Sequence, residues 1–169
     1  MTNFRTEKER LLSELDSEIR RNPNNEILKS LNYSFQLNET KIKDIFALVD
    51  QDIEKHQVTA WLKKDDDEDF NEVFNEDLAH FLNGFIVLKR GKKNPDDPAP
   101  VAEKDLTNNM VLKKLKIALN LQSEDILQIL SMVDFRLSNH ELTAFFRKEG
   151  HKNFRPLKNQ VLRNFCLGL

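Results

Sequence analysis

Seven basic side chains gather late in the sequence: Arg147, Lys148, His151, Lys152, Arg155, Lys158 and Arg163. Guanidinium groups can hold phosphate bidentately, and ammonium groups hold it as point charges. Phe154 stands among them, and an aromatic ring can stack on a base. The combination is the chemistry of a nucleic-acid backbone site, on RNA or DNA. The stretch joins two helical patterns, a loop setting from which backbone and long side chains can reach a ligand. The competing reading is a solvated loop whose charges pair with carboxylates elsewhere in the chain.

Other reactive residues give weaker patterns. The run Asp65-Asp66-Asp67-Glu68-Asp69 could attract a divalent cation, but it lacks the glycine and terminal glutamate of a calcium loop. A solvated acidic loop is the better reading. The histidines are His56, His80, His140 and His151, and neither His56 nor His140 has a second ligand type at i+3 or i+4. His80 is expected to be partly exposed. Cys166 lies in an apolar helical pattern and reads as a buried, inert thiol. No phosphate-binding glycine loop, nucleophile elbow or dinucleotide fingerprint is present. These residues lead to no catalytic constellation, metal site, cofactor or small-molecule substrate, and a binding role without catalysis is expected.

The elements that must position these groups come from a duplication. Shifting the 169-residue sequence by 84 positions aligns residues 24–84 with 108–168 without a gap, and 19 of 61 positions are identical. The identities include Asn24/Asn108, Leu31/Leu115, Ile45/Ile129, Asp50/Asp134, His56/His140, Phe70/Phe154 and Gly84/Gly168. Each copy reads as four one-faced helices. The first carries Leu28, Leu31 and Phe35, or Leu112, Leu115 and Leu119. The second carries Ile42, Ile45, Phe46 and Val49, or Ile126, Ile129, Leu130 and Val133. The third holds Val58, Trp61 and Leu62, or Leu142, Phe145 and Phe146. The fourth holds Leu78, Phe81, Leu82 and Phe85, or Leu162, Phe165, Cys166 and Leu169.

Local signals refine this outline. Asn25 and Asn109 are N-cap types for the first helix of each copy, and Ser123 for the second helix of the later copy. Ser138 with Glu141 spells a capping box. Asp50 and Asp134 are expected to cap the next helix or end a turn. The repeated glycines, Gly84 and Gly168, predict close helix packing. Leu11, Leu12, Leu15 and Ile19 share a helical face, so residues 1–23 predict one additional amphipathic helix. Residues 91–107 contain Pro95, Pro98 and Pro100, which exclude a continuous helix and favour an extended linker. The expected organisation is all-α: an N-terminal helix (1–23), an acidic four-helix repeat (24–90), a proline-rich linker (91–107) and a basic four-helix repeat (108–169).

The runs LNGFIVLKRGKK at 82–93, NNMVLKKLKIALNLQSEDIL at 108–127, ELTAFFRKEGHKNFR at 141–155 and LRNFCLGL at 162–169 resemble the bacterial YehS-like family, domain of unknown function 1456. The resemblance covers about residues 25–169. It implies a bacterial, cytoplasmic, helical protein with two copies of one domain, and it implies no particular activity. The residues before Asn24 look like an addition to the family pattern.

Charge separates the two copies. Residues 24–84 carry 6 Lys and Arg against 14 Asp and Glu, net −8, while residues 108–168 carry 10 against 5, net +5. The single cysteine excludes an intrachain disulfide and fits a reducing compartment. No run of about 18 apolar residues is present, and Met1–Arg10 lacks an apolar signal core, so a cytoplasmic protein with no membrane partner is expected. Phe70, the counterpart of Phe154, lies beside carboxylates, which favours both rings as core anchors. Helices two and three of each copy also invite comparison with a helix-turn-helix. In it, His56, Gln57, Thr59, Ala60 and Lys63, or Asn139, His140, Thr143, Ala144 and Arg147, would face bases. The preferred expectation is a nucleic-acid binder working through the basic second copy. The alternative is a protein-interaction or self-associating module that opposes the charges of the two copies.

Overall fold

The computed structural model describes residues 22–169, and the amphipathic helix expected over 1–23 lies outside the described residues but for its last two. Among the described residues the chain forms eight helices and no strand. The first copy supplies α1 (Asn24–Ser34), α2 (Glu39–Ala47), α3 (Lys55–Trp61) and α4 (Asn75–Arg90). The second supplies α5 (Asn108–Ala118), α6 (Ser123–Met132), α7 (Asn139–Phe145) and α8 (Asn159–Gly168). The fold is all-α, and each copy has the four helices expected of it.

Each helix buries the stripe its spacing marks out. Leu28 and Leu31 on α1, Ile42, Ile45 and Phe46 on α2, and Leu78, Phe81, Leu82 and Phe85 on α4 are all buried. Leu112, Leu115, Ile126, Leu130, Leu162 and Phe165 repeat the pattern in the second copy. Each such side chain contributes about 1.5–3 kcal/mol on leaving water. The first copy's core is aromatic: Phe46 lies 5.5 Å from Trp61 and 6.1 Å from Phe81, centroid to centroid. Gly84 and Gly168 face α2 and α6 at close approach. A methyl group at either would collide with the carbonyl oxygen of Ile45 or Ile129.

The helix ends correct part of the sequence reading. Ser138 does form the capping box: its Oγ accepts from Glu141 N–H at 3.0 Å, and its own N–H donates to Glu141 Oε1 at 3.1 Å. Ser123 is not a cap. Gln122 takes that position, and its N–H donates to Asp125 Oδ2 at 2.7 Å. Asp50 and Asp134 end the turn after helix two in the left-handed region, at φ 62° and 58°, where a short polar side chain is tolerated.

Asn25 and Asn109 are not caps either. Pro23 and Thr107 hold those positions, and the asparagines point inward. Asn25 Nδ2 donates to the carbonyls of Trp61 (3.0 Å) and Asn71 (2.9 Å), while its Oδ1 accepts from Val73 N–H at 2.9 Å. Asn109 repeats all three bonds with Phe145, Arg155 and Leu157, each at 2.9 Å. Asn24 and Asn108 add bonds to the Val73 and Leu157 carbonyls and to Asn75 and Asn159. The long loops before α4 and α8 have no secondary structure to satisfy their peptide groups. These amides do so instead, which explains why they recur in both copies.

The copies join reciprocally. Helix one of each packs on helix four of the other, α1 on α8 and α5 on α4. This is the pairing of a two-fold dimer, built within one chain. A single core cluster runs through both. The linker is non-helical, as its prolines require, but its later half is not a free spacer. Ala102 is buried, Leu106 packs on the core, and Glu103 Oε1 lies 3.2 Å from Lys114 Nζ. Asn75 Nδ2 donates to the Lys104 carbonyl at 3.2 Å. Residues 102–106 thus strap the α4–α5 seam.

Candidate nucleic-acid interface

The loop from Phe146 to Lys158 follows α7 and is held to α5 by Asn109. Where it leaves α7, a cavity of about 300 Å3 opens. Arg147 and Lys148 line it with Lys113 from α5, the carboxylate of Glu149 and the rings of Phe145, Phe146 and Phe154. Among the described residues, Lys113, Arg147 and Lys148 have no ion-pair partner. Three cations against the one carboxylate of Glu149 leave this concave surface net positive, and an anion bound there would be attracted to it. Phe154 is partly buried but stands outside the hydrophobic core cluster, so its assignment as a core anchor is corrected. The same correction applies to Phe70. A pocket with cations and a ring face accepts a phosphate and a stacked base together.

The structure divides the seven expected basic residues. Arg147 and Lys148 line the cavity. His151, Lys152, Arg155 and Lys158 are exposed along the same loop but do not line it. His151 Nδ1 accepts from Asn153 N–H at 3.0 Å, and Arg155 Nη1 donates to the Phe154 carbonyl at 2.9 Å. Lys158 stands just before α8, where it adds positive charge to the positive end of the helix dipole. Arg163 lies apart. It sits on α8 with its Nε 3.1 Å from Glu26 Oε2 of α1, across the seam between copies. Lys113, absent from the seven, lines the cavity as well. Its identity with Lys29 in the repeat alignment was the available signal.

The equivalent place in the first copy is occupied by its own side chains. Lys29 lies over the Phe70 ring at 5.7 Å and 4.0 Å from Asp65. The acidic run pairs there with its own copy. Among the described residues, the ion pair that joins the copies is Arg163–Glu26.

A helix-turn-helix geometry does not emerge. Residues 48–54 and 133–138 connect helices two and three, and α3 and α7 have only 7 residues each. Ala144 is buried, and Arg147 lies beyond the end of α7 in the cavity. Asn139, His140 and Thr143 are exposed, but Thr143 Oγ1 is already donating to the Asn139 carbonyl at 2.8 Å.

The remaining reactive groups follow their surroundings. Burial pushes the Cys166 thiol up to about 12, so it stays protonated. His80 is mostly buried, with Nε2 3.9 Å from Glu76, whereas His56 and His140 are exposed. Among the described residues, no three His, Cys, Asp or Glu side chains group to hold a metal ion. No helix among them is long and apolar enough to cross a membrane.

Comparison with known proteins agrees with the internal repeat. A family model described as protein of unknown function (DUF1456) matches residues 24–91 and again 108–169. The uncharacterized protein YehS of Escherichia coli (strain K12) is 43% identical over 147 residues, covering 86% of this chain and 92% of that protein. No solved structure matches. With both halves matched and a full-length relative at this identity, the chain belongs to the DUF1456 family and carries its domain twice.

Proposed function

We propose that this protein is a cytoplasmic, non-enzymatic binder of the RNA or DNA backbone, acting through its second copy. The observation that carries this reading is the cavity where Lys113, Arg147 and Lys148 meet the partly buried Phe154. Phosphates bind the cations, and a base stacks on the ring. His151, Lys152, Arg155 and Lys158 extend the positive surface along the loop. Arg163, held by Glu26, contributes to the seam instead.

Fluorescence polarisation with mixed RNA and DNA probes at two salt concentrations tests this. Three phosphate contacts on a single strand predict a log–log salt slope of about −2. Arg147→Glu with Lys148→Glu is expected to weaken binding at least about tenfold at low salt. The equivalent pair in the first copy, Lys63→Glu with Lys64→Glu, is expected to change it little. Equal binding by the wild type and the second-copy variant overturns the site.

One observation favours a second reading. Asp65, Asp66, Glu68 and Asp69 are exposed, so the acidic loop is free to meet the basic loop of another chain. Sedimentation would then show a salt-sensitive oligomer that is lost when Asp65, Asp66 and Asp67 become Asn. An oligomer indifferent to those changes rejects it.

A further inference from the structure

The three rings on the cavity after α7 have different surroundings. Phe145 and Phe146 pack on the hydrophobic core, and Lys116 Nζ lies 5.7 Å from the Phe146 ring centroid. Phe154 stands outside that core, and among the described residues no cation or second ring lies against it. In the first copy the matching ring is covered: Lys29 Nζ lies 5.7 Å from the centroid of Phe70. Lys113, the counterpart of Lys29, lines the cavity beside Phe154 without capping the ring. The second copy thus keeps one ring available for stacking, and keeps it at a concave place.

The size of that place limits what can reach the ring. At about 300 Å3 it stands at the small end of pockets that hold small molecules, roughly 300–1,000 Å3. This suits one nucleotide, and a base pair is too wide for it. A base inside a duplex is stacked on both faces, so it meets Phe154 only after it has been unpaired and turned out of the helix. Nor is the loop built to enter a major groove, which admits a helix or a β-ribbon. Residues 146–158 form neither, and α7 before them has 7 residues. Glu149 adds a second constraint. Its carboxylate lines the same cavity, repels phosphate and only accepts hydrogen bonds. An unpaired base brings it the Watson–Crick N–H donors that pairing otherwise occupies.

We propose that the cavity seats one unpaired nucleotide of a single strand. The base stacks on Phe154 and its edge donates to Glu149, while the adjoining phosphates meet Lys113, Arg147 and Lys148. This seat rests on the nucleic-acid reading of the basic loop and narrows it to single-stranded RNA or DNA. The exposed cations farther along the loop, Lys152, Arg155 and Lys158, follow the neighbouring phosphates. Every base has a π-face, so the seat selects the state of the strand before its sequence.

Competition titrations of the full chain test this with a short mixed-sequence strand and the same strand annealed to its complement, as RNA and as DNA. For at least one of the two, the single strand is expected to bind at least about tenfold tighter than its duplex. Phe154→Leu keeps an apolar side chain and removes the ring. It is expected to abolish most of that preference and to leave duplex binding as it was. Phe154→Trp is expected to keep the preference, and the single strand should quench the added indole against the constant signal of the buried Trp61. A duplex that binds as tightly as its strand overturns the seat, while the basic loop still stands as a backbone binder. A preference unchanged in Phe154→Leu, or tight binding without quenching in Phe154→Trp, overturns the place given to the ring. If neither strand nor duplex binds, the nucleic-acid reading and the seat fall together.

Discussion

The loop after α3 and the loop after α7 share a backbone frame and carry opposite charge. In both, a turn places the N–H of residue 67 or 151 on the carbonyl of Lys64 or Lys148, each at 3.0 Å. The side chain of that same residue then accepts the N–H two positions on, as a carboxylate in Asp67 and an imidazole in His151. Asn25 or Asn109 anchors the far end. What differs is the surface. The first loop neutralises Lys29 with Asp65, while the second leaves Lys113, Arg147 and Lys148 around an open cavity. Duplication has kept the groups that satisfy buried peptide bonds and released the exposed ones to diverge. The difference in charge is thus a difference in surface alone, laid over one scaffold.

This comparison can be broken at several points. The largest effect is expected from the glycines. Gly84→Val drives side-chain atoms into the Ile45 carbonyl and is expected to cost about 3 kcal/mol in urea unfolding. Gly168→Val should cost less, because Gly168 ends α8 and the chain there can shift. Equal losses would mean the helix end is as rigid as its middle.

The asparagine clamps come next. Asn25→Ala orphans two carbonyls and one N–H at a buried site and is expected to cost about 2–3 kcal/mol. Asn109→Ala breaks the same bonds at a more exposed site, so about half that loss is expected from a denaturation midpoint. A third test exchanges only surface charge. His151→Asp, Lys152→Glu and Asn153→Asp together put the acidic sequence on the basic copy's frame and leave Gly150, at φ 93°, untouched. Probe affinity is expected to fall about tenfold at low salt. Unchanged affinity would show that the charge contrast has no part in binding.

The smallest effect concerns a cap that the first copy lacks. Hydrogen bonds from the Ser138 side chain and then its N–H hold the Glu141 carboxyl below its ordinary value. A depressed folded value stabilises above the unfolded value of 4.5 and is lost as pH falls through the folded one. The melting temperature of the wild type should therefore fall slightly more steeply below about pH 4.5 than that of Ser138→Ala. Parallel curves would remove the capping box from the account of the second copy.

Much of the fold could be read from the residues. The 84-residue register and the i, i+3, i+4, i+7 stripes located all eight helices, because periodic burial is a local property of a helix. The Ser138 box was legible because its partners are three residues apart. Asn25 and Asn109 were misread as caps because the residue type suits both jobs. Their true partners lie 36 to 48 positions away. Arg163 was grouped with the loop cations by proximity in sequence, while its partner, Glu26, is 137 residues distant.

By itself the sequence determined the duplication, the all-α class, the buried stripe of each helix and the opposed charge of the copies. Each of these depends on composition or on spacing within a few turns. Tertiary structure alone decided that helix one of each copy docks on helix four of the other. It also decided that Lys113 joins Arg147 and Lys148, and that the α4–α5 seam is strapped by the linker. Apolar stripes are chemically interchangeable, so the choice of partner depends on how whole surfaces fit, and that fit exists only once the chain has packed.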